Sequence, residues 1–336
     1  MQLSRYAPVP TISNRSLAWR HMTLQTNPKV TASDLLDQPG PRPHVCFIVV
    51  TYNAQLFVGD CLASLLDQSY PADRIEVMVV DNASTDSTVR IVSERFPEVE
   101  LIASPRNLGF ARANNLAIRR TDTDFIALVN ADAVLERTWL ERMVEGMMSD
   151  PAIAVGGCKI YYPDGLLQHV GGIIHGNGLT DHQGAFEADV GQYNEPQDVD
   201  YVTGAAVMLR REALRELGGL PEEYFLYYEE TELCVRARKA GYRVVCFPDA
   251  VATHHEAYGS GRLSSKFLLR YHRSRLRFIC RNYSCHQFLH QFLPSERDWI
   301  KRYHPPKQML LLLSAYLVNF RYLTPYLIRC LLGRGR

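Results

Sequence analysis

The chain has 336 residues, 46% of them hydrophobic and 22% charged, with a formal net charge of +1. That is the composition of a folded globular protein of one large domain or two ordinary ones, and it excludes collagen-like, disordered and polytopic membrane chains. The +1 is a cancellation: residues 261–336 carry 15 Lys and Arg against 2 Asp and Glu, whereas residues 1–260 carry 22 against 34.

Residues 1–43 are rich in Pro, Ser, Thr and Asn and predict a loosely ordered extension. Met1–Pro10 lacks the continuous apolar stretch of a signal peptide. From His44 the pattern alternates. Val45–Thr51 predicts a strand, and Leu56–Gln68 a helix with Phe57, Cys61, Leu62 and Leu65 on one stripe. Ile75–Asp81 predicts the second strand, and Ser84 is placed to N-cap a helix running to Phe96. A short strand near Leu101, a helix Ala111–Arg120, a strand Phe125–Asn130 and a helix Thr138–Met148 follow. Residues 160–200 are loop-rich. Val202–Arg210 predicts a strand, Thr231–Ala240 a short helix and Tyr242–Phe247 another strand. Alternating strands and helices predict an α/β fold with a mostly parallel central sheet covered on both faces. A boundary is expected near Gly261, giving an extension 1–43, a catalytic-type domain 44–260 and a basic helical region 261–336.

The eight cysteines include no C-x-x-C pair, which argues against zinc-knuckle and thioredoxin-like sites. Cys46, Cys158 and Cys246 lie in apolar runs and read as small buried hydrophobes of a reducing, cytoplasmic compartment. The G-x-G-x-x-G turn after a strand, the phosphate loop G-x-x-x-x-G-K-[ST] and the G-x-S-x-G elbow are all missing. What remains is polar residues at strand ends: Thr51-Tyr52-Asn53, Asp81-Asn82 and Asn130-Ala131-Asp132. In a parallel sheet these ends share one edge, where ligands bind.

Asp132 can hold a divalent cation that bridges a diphosphate, or it is a turn residue. Asp81 can accept hydrogen bonds from a base or ribose. Arg106, Asn107 and Arg112 near a helix start suit a phosphate or sugar, or a solvated helix entry. Glu229-Glu230-Thr231-Glu232 follows an aromatic run and reads either as a general-base cluster or as an acidic first helical turn. His254-His255 completes a metal site or decorates the surface.

The order and spacing of these pieces resemble glycosyltransferase family 2, the inverting nucleotide-sugar transferases with the GT-A fold. The matching segments are V-T-Y-N (50–53), V-D-N-A-S-T-D (80–86), R-N-L-G-F-A-R-A-N-N (106–115), L-V-N-A-D-A-V-L (128–135), T-G-A-A-V-M-L-R-R (203–211) and G-G-L-P-E-E-Y-F-L-Y-Y-E-E-T-E-L-C-V-R-A-R-K-A-G-Y (218–242). The likeness spans about residues 44–285 and is strongest to the rhamnosyltransferase-like branch that builds bacterial surface polysaccharides. It implies a donor site from Thr51, Tyr52, Asn53, Asp81, Asn82, Arg106, Asn107, Arg112, Asn130 and Asp132. Asp81 would meet the nucleobase. Asp132, with His254, would hold Mg2+ or Mn2+ against the diphosphate, with Asn130 replacing the first acid of a D-x-D-type motif. Glu230 would be the general base, with Glu229 and Glu232 on the acceptor side. The family usually has E-D-x-D where this chain has E-E-T-E, so an inactive nucleotide-sugar-binding partner subunit is the alternative.

The basic tail interleaves Lys266, Arg270, Arg273, Arg275, Arg277 and Arg281 with Phe, Leu and Tyr, and continues into the apolar segments Met309–Val318 and Tyr322–Leu332. None reaches the ~20 residues needed to span a bilayer. Basic amphipathic helices predict a peripheral position on an anionic membrane surface, on the inner face of the cell membrane, beside a saccharide or polyprenyl-linked acceptor. A packed helical cap or a dimer interface is the other reading. No nucleic-acid-binding motif accompanies the charge, so no nucleic acid partner is expected.

Overall fold

The computed structural model describes residues 42–256, 264–302 and 306–331. The expected extension 1–43 falls almost entirely outside them, as does the expected boundary at Gly261. The elements in chain order are β1 (Val45–Thr51), α1 (Val58–Leu66), β2 (Ile75–Asp81), α2 (Thr88–Arg95), β3 (Glu100–Ala103), α3 (Phe110–Ile118), β4 (Phe125–Asn130), β5 (Ala133–Leu135) and α4 (Trp139–Met148). Then come β6 (Ile153–Tyr161), β7 (Leu167–His169), β8 (Gly172–Ile174), β9 (Thr180–His182), β10 (Gln197–Asp198), β11 (Ala206–Arg210), α5 (Arg211–Leu217), α6 (Glu229–Lys239) and β12 (Arg243–His254). The C-terminal helices are α7 (Ser265–Asn282), α8 (Leu293–Arg302), α9 (Pro306–Val318) and α10 (Phe320–Leu331).

Ten strands form one sheet, in the path order β10-β12-β6-β11-β4-β1-β2-β3, with β5 on β12 and β7 on β6. Strands β1, β2, β3 and β4 are mutually parallel, as are β6 and β12. Strand β11 runs antiparallel to both β4 and β6. The continuous apolar runs are explained by burial on two faces. Val45, Phe47 and Val49 of β1 enter one core with α1 and α4, while Cys46 and Ile48 enter the other with α3, α5 and α6. Cys46, Cys158 and Cys246 are buried and free, as read, and so are Cys61 and Cys234. Cys285 departs from that reading and is disulfide-bonded.

Three local expectations change. Ser84 does not cap α2, which begins at Thr88; Asp81 takes its hydroxyl instead. The strand read from Val202 starts only at Ala206, and the segment before it is a loop at the site. Strand β12 runs past Phe247 to His254, with an irregularity between Phe247 and Val251. Pro248 lies there, and it has no N–H to donate to a ladder.

The basic tail is also not a detached anchor. A third core joins Tyr224 and Tyr228 of the central region to Leu276, Phe278 and Ile279 of α7, with Ala315 of α9 and Tyr326 of α10. Arg275 is 0% exposed and grips Glu296 of α8 through two bonds of 2.7 and 2.6 Å. Tyr316 and Asn177 complete the Glu296 carboxylate at 2.7 and 2.9 Å. Of the arginines read as facing a membrane, Arg275 and Arg277 are therefore interior residues and Arg281 is ion-paired to Glu223 and Glu232.

Replacing Arg275 alone strands a buried carboxylate, so Arg275→Met is expected to cost about 3–5 kcal/mol in urea unfolding. Arg275 holds the Glu296 pKa below its ordinary value against the cost of burial. The pair's contribution is therefore complete above the unfolded carboxylate pKa and fades as the pH falls below it. The loss in Arg275→Met should shrink in the same acid range.

Candidate active site

The carboxyl ends of β1, β2 and β4 meet as the alternation predicts. Asp81 is 2% exposed and accepts from the Thr51 hydroxyl at 2.8 Å, the Ser84 hydroxyl at 2.5 Å and the Ser84 N–H at 2.9 Å. Asn53, in the left-handed region at φ 54°, donates its N–H to Ser84 Oγ at 2.8 Å and accepts from Thr85 N–H at 2.8 Å. The loops after β1 and β2 are thus pinned into one wall, with Tyr52 exposed beside them. Asn82 is committed to the next loop: its Oδ1 accepts from Leu108 N–H at 3.1 Å and its Nδ2 donates to Gly109 O at 3.3 Å.

Gly109 opens α3 at φ 80°, and a Cβ there would lie 2.4 Å from the carbonyl oxygen of Phe225, so only glycine fits. Asn107 turns inward to accept from Gly109 N–H at 2.9 Å, and Arg106 is exposed. Arg112, an exposed residue of α3, faces Glu222 at 3.7 Å.

The ladder between β12 and β5 sets His254 opposite Ala133 and so beside Asp132. His254 Nε2 lies 3.1 Å from Asp132 Oδ1 and 3.2 Å from Asn130 Nδ2. Its Nδ1 lies 2.8 Å from Gln168 Oε1. The Gln168 amide nitrogen is spent on Glu256 at 3.0 Å, which leaves its oxygen to take the Nδ1 proton. Nε2 is the ring nitrogen that faces Asp132 and Asn130. A carboxylate and an oriented imidazole fit a cation that takes its other ligands from a diphosphate. Among the described residues no group of three or more His, Cys, Asp or Glu forms a closed metal cage.

Glu230 reaches the same edge from α6. Asn130 N–H donates to Ala205 O at 2.9 Å, fixing the loop 203–205 against the end of β4. Thr203 N–H in turn donates to the fully buried His169 at 3.3 Å. Burial raises the Glu230 carboxyl, opposed by the backbone N–H groups of Glu230, Thr231 and Gly204, and leaves it at about 7. Glu229 is 1% exposed with neither carboxyl oxygen hydrogen-bonded. Burial and then the Glu230 charge push it well above the ordinary carboxylate range. Glu232 points elsewhere: Tyr224, Arg281 and Asn282 occupy its carboxylate. Gly204, Gln168 and Ser84 are site residues that the sequence reading did not assign.

The chain can be compared with known proteins on this geometry. Residues 46–218 match the family model described as Glycosyl transferase family 2. Over 262 residues the chain is 28% identical to the N-acetylglucosaminyl-diphospho-decaprenol L-rhamnosyltransferase of Mycobacterium tuberculosis (strain ATCC 25618 / H37Rv), covering 70% of this chain and 84% of that protein. It is 29% identical over 260 residues to the uncharacterized protein y4gI of Sinorhizobium fredii (strain NBRC 101917 / NGR234), covering 73% of this chain but only 28% of that protein's length. The mannosyltransferase PcManGT of Pyrobaculum calidifontis, solved with GDP-Man and Mn2+, shares the fold at a TM-score of 0.53 and 21% identity, covering 90% of this chain and 91% of that one.

A buried acid with a raised pKa disfavours the folded state as the pH climbs above its unfolded value. Glu229→Gln mimics the neutral acid. It should melt higher than wild type at pH 8, with the gap closing toward pH 4.5. Equal melting temperatures at pH 8 would show that Glu229 ionises freely.

Proposed function

Because the chain belongs to glycosyl transferase family 2, we propose that it moves a sugar from a nucleoside-diphosphate sugar to a saccharide or lipid-linked saccharide acceptor, with inversion at the anomeric carbon. The chain is a glycosyltransferase with a GT-A fold. The observation that carries the mechanism is Glu230, a carboxylate poised near 7 on the edge that also bears Asp132 and His254. A base of that pKa is matched to neutral pH.

Glu230 takes the proton of the acceptor hydroxyl. The freed oxygen bonds to the anomeric carbon from the face opposite the diphosphate, and the carbon–oxygen bond to the diphosphate breaks, its electron pair leaving on phosphate oxygen. Base assistance contributes about 10²–10⁴-fold. Thr51, Asn53 and Asp81 form the nucleoside side of the site, and Asn130 and Asp132 the diphosphate side. Asp132 and His254 would hold a divalent cation, Mg2+ or Mn2+, which supplies charge neutralisation to the departing diphosphate. A lipid-linked acceptor is supported by the mycobacterial relative, an N-acetylglucosaminyl-diphospho-decaprenol L-rhamnosyltransferase.

The same acceptor class supports a peripheral position on the inner face of the cell membrane. No helix among the described residues is long and apolar enough to cross a membrane. Large apolar side chains nevertheless lie bare on the outer side of the C-terminal helices: Leu310, Leu313 and Leu317 on α9, with Phe320, Leu327 and Ile328 on α10. Lys301, Arg302 and Arg321 are exposed nearby in sequence. Apolar insertion flanked by basic residues, at ~1 kcal/mol per cation, suits an anionic lipid surface.

Glu230→Gln should abolish release of nucleoside diphosphate from a panel of donors with acceptor present, while donor binding by calorimetry changes little. Asp132→Ala should weaken binding of donor and Mn2+ together. Near-normal turnover by Glu230→Gln would remove it from the base role. In wild type, kcat/KM should rise with pH through about 7, because the base works ionised. For the membrane reading, Leu313→Glu combined with Leu317→Glu should reduce cosedimentation with phosphatidylglycerol-containing vesicles about tenfold or more. Unchanged sedimentation would place the lipid contact elsewhere or dispense with it.

A further inference from the structure

Two consecutive residues before the base, Tyr227 and Tyr228, are left-handed at φ 72° and 76°. Neither is glycine, and such a conformation persists only where the surroundings impose it. The surroundings here are one helix on one side and the β8–β9 hairpin on the other. Phe267, Tyr271, Ser274, Phe278 and Arg281 of α7 follow one another at spacings of four and three and so share one face. That face covers the turn. The Phe267 ring lies 5.1 Å from Tyr227, and the Tyr271 and Phe278 rings lie 5.3 and 5.4 Å from Tyr228.

Ser274 Oγ donates to Leu226 O at 3.1 Å. Arg281 bonds Glu223 at 2.9 Å before the turn and Glu232 at 2.9–3.1 Å after it. From the other side, Tyr228 donates its hydroxyl to Gly178 O at 2.6 Å in the β8–β9 hairpin, and Arg275 of α7 holds Asn177 O at 3.0 Å. All of these partners in α7 lie beyond residue 218, where the family match ends.

We propose that this face of α7 is a brace for the catalytic base: Ser274, Arg281 and the Tyr228 hydroxyl are positioning residues that hold the left-handed turn and thereby set the Glu230 carboxylate against the loop 203–205. The basic C-terminal region is then part of the reaction centre as well as its outer surface. The inference rests on the base role assigned to Glu230. Ionisable groups that feel the Glu230 charge include Glu229, Tyr201 and Cys234.

The test uses the full chain, measuring nucleoside diphosphate release across pH with donor affinity measured separately. Ser274→Ala and Tyr228→Phe should each lower kcat about threefold to tenfold, and Arg281→Gln about tenfold to a hundredfold, the loss expected for a group displaced by up to an ångström. Donor dissociation constants should stay within about twofold, and the acid limb of kcat/KM should move to lower pH as water reaches the loosened carboxylate. Arg281→Lys should recover part of the rate. Arg273→Gln removes the same charge from an exposed position on α7 and should alter neither quantity. If Arg281→Gln does not fold, the two milder variants decide the matter. An unmoved acid limb with normal kcat in both would overturn the brace. A fully active Glu230→Gln would instead overturn the base assignment on which it rests.

Discussion

The site depends on the direction of one strand. In a wholly parallel sheet the segment entering a strand lies at the amino edge, away from the ligand side. Strand β11 is antiparallel to β4 and β6, so the loop that enters it, 203–205, arrives at the carboxyl edge. The bond from Asn130 N–H to Ala205 O fixes it there, and Gly204 then meets Glu230. Beyond β11 the sheet resumes in parallel with β6 and β12, which brings His254 to the same edge. A one-residue slip of β11 would exchange the faces of its side chains and carry the loop about 3.3 Å along β4. Register is specified because Val207 and Met208 of β11 enter opposite cores.

The edge so formed has two electrostatic halves. On one side, Asp81 accepts from the hydroxyls of Thr51 and Ser84, and Asp132 faces the His254 imidazole. Around Glu230, which is only partly exposed, backbone N–H groups offset part of the cost of charge. That balance leaves a carboxylate that can both lose and regain a proton near neutral pH. Glu229, buried with no partner, cannot ionise beside it cheaply, since two adjacent like charges in a low dielectric oppose each other. Glu in place of Asp at position 230 is compatible with a base role, because its carboxylate reaches Gly204 from the first turn of α6.

What could be read in advance follows from the range of the interactions. The strand ends Thr51, Asp81 and Asn130 were legible because each closes a continuous apolar run. Ser84 was misread because a helix cap and a carboxylate compete for the same hydroxyl, and Asp81, three residues back, wins it. Arg112 and Glu232 carry the right chemistry in the right motif, but partners far along the chain, Glu222 and Arg281, claim them. Gln168 orients His254 across 86 residues of sequence, and no local pattern announces such a contact. In the sequence of α7 the basic residues are interleaved with Phe, Leu and Tyr and suggest an outward face, because the acids that receive them, Glu296, Glu223 and Glu232, lie elsewhere in the chain.

The charge asymmetry between body and tail therefore has two physical origins. A buried guanidinium needs acceptors for its N–H groups, and the inward arginines of α7 find them elsewhere in the chain: Arg277 takes the Glu223 carbonyl and the Tyr322 hydroxyl. Arg275 finds Glu296, one of the two acids in the tail, while Arg281 draws on Glu223 and Glu232 of the body. Those last two sit on either side of the base turn. A free amphipathic anchor would need no acids in the catalytic segment. Part of the positive excess of residues 261–336 is the complement of part of the negative excess of residues 1–260. Only the remainder, at exposed positions such as Lys301, Arg302 and Arg321, is left facing outward. Because α7 packs against the base turn on one side and α9 on the other, whatever seats the outer helices also bears on the geometry of Glu230.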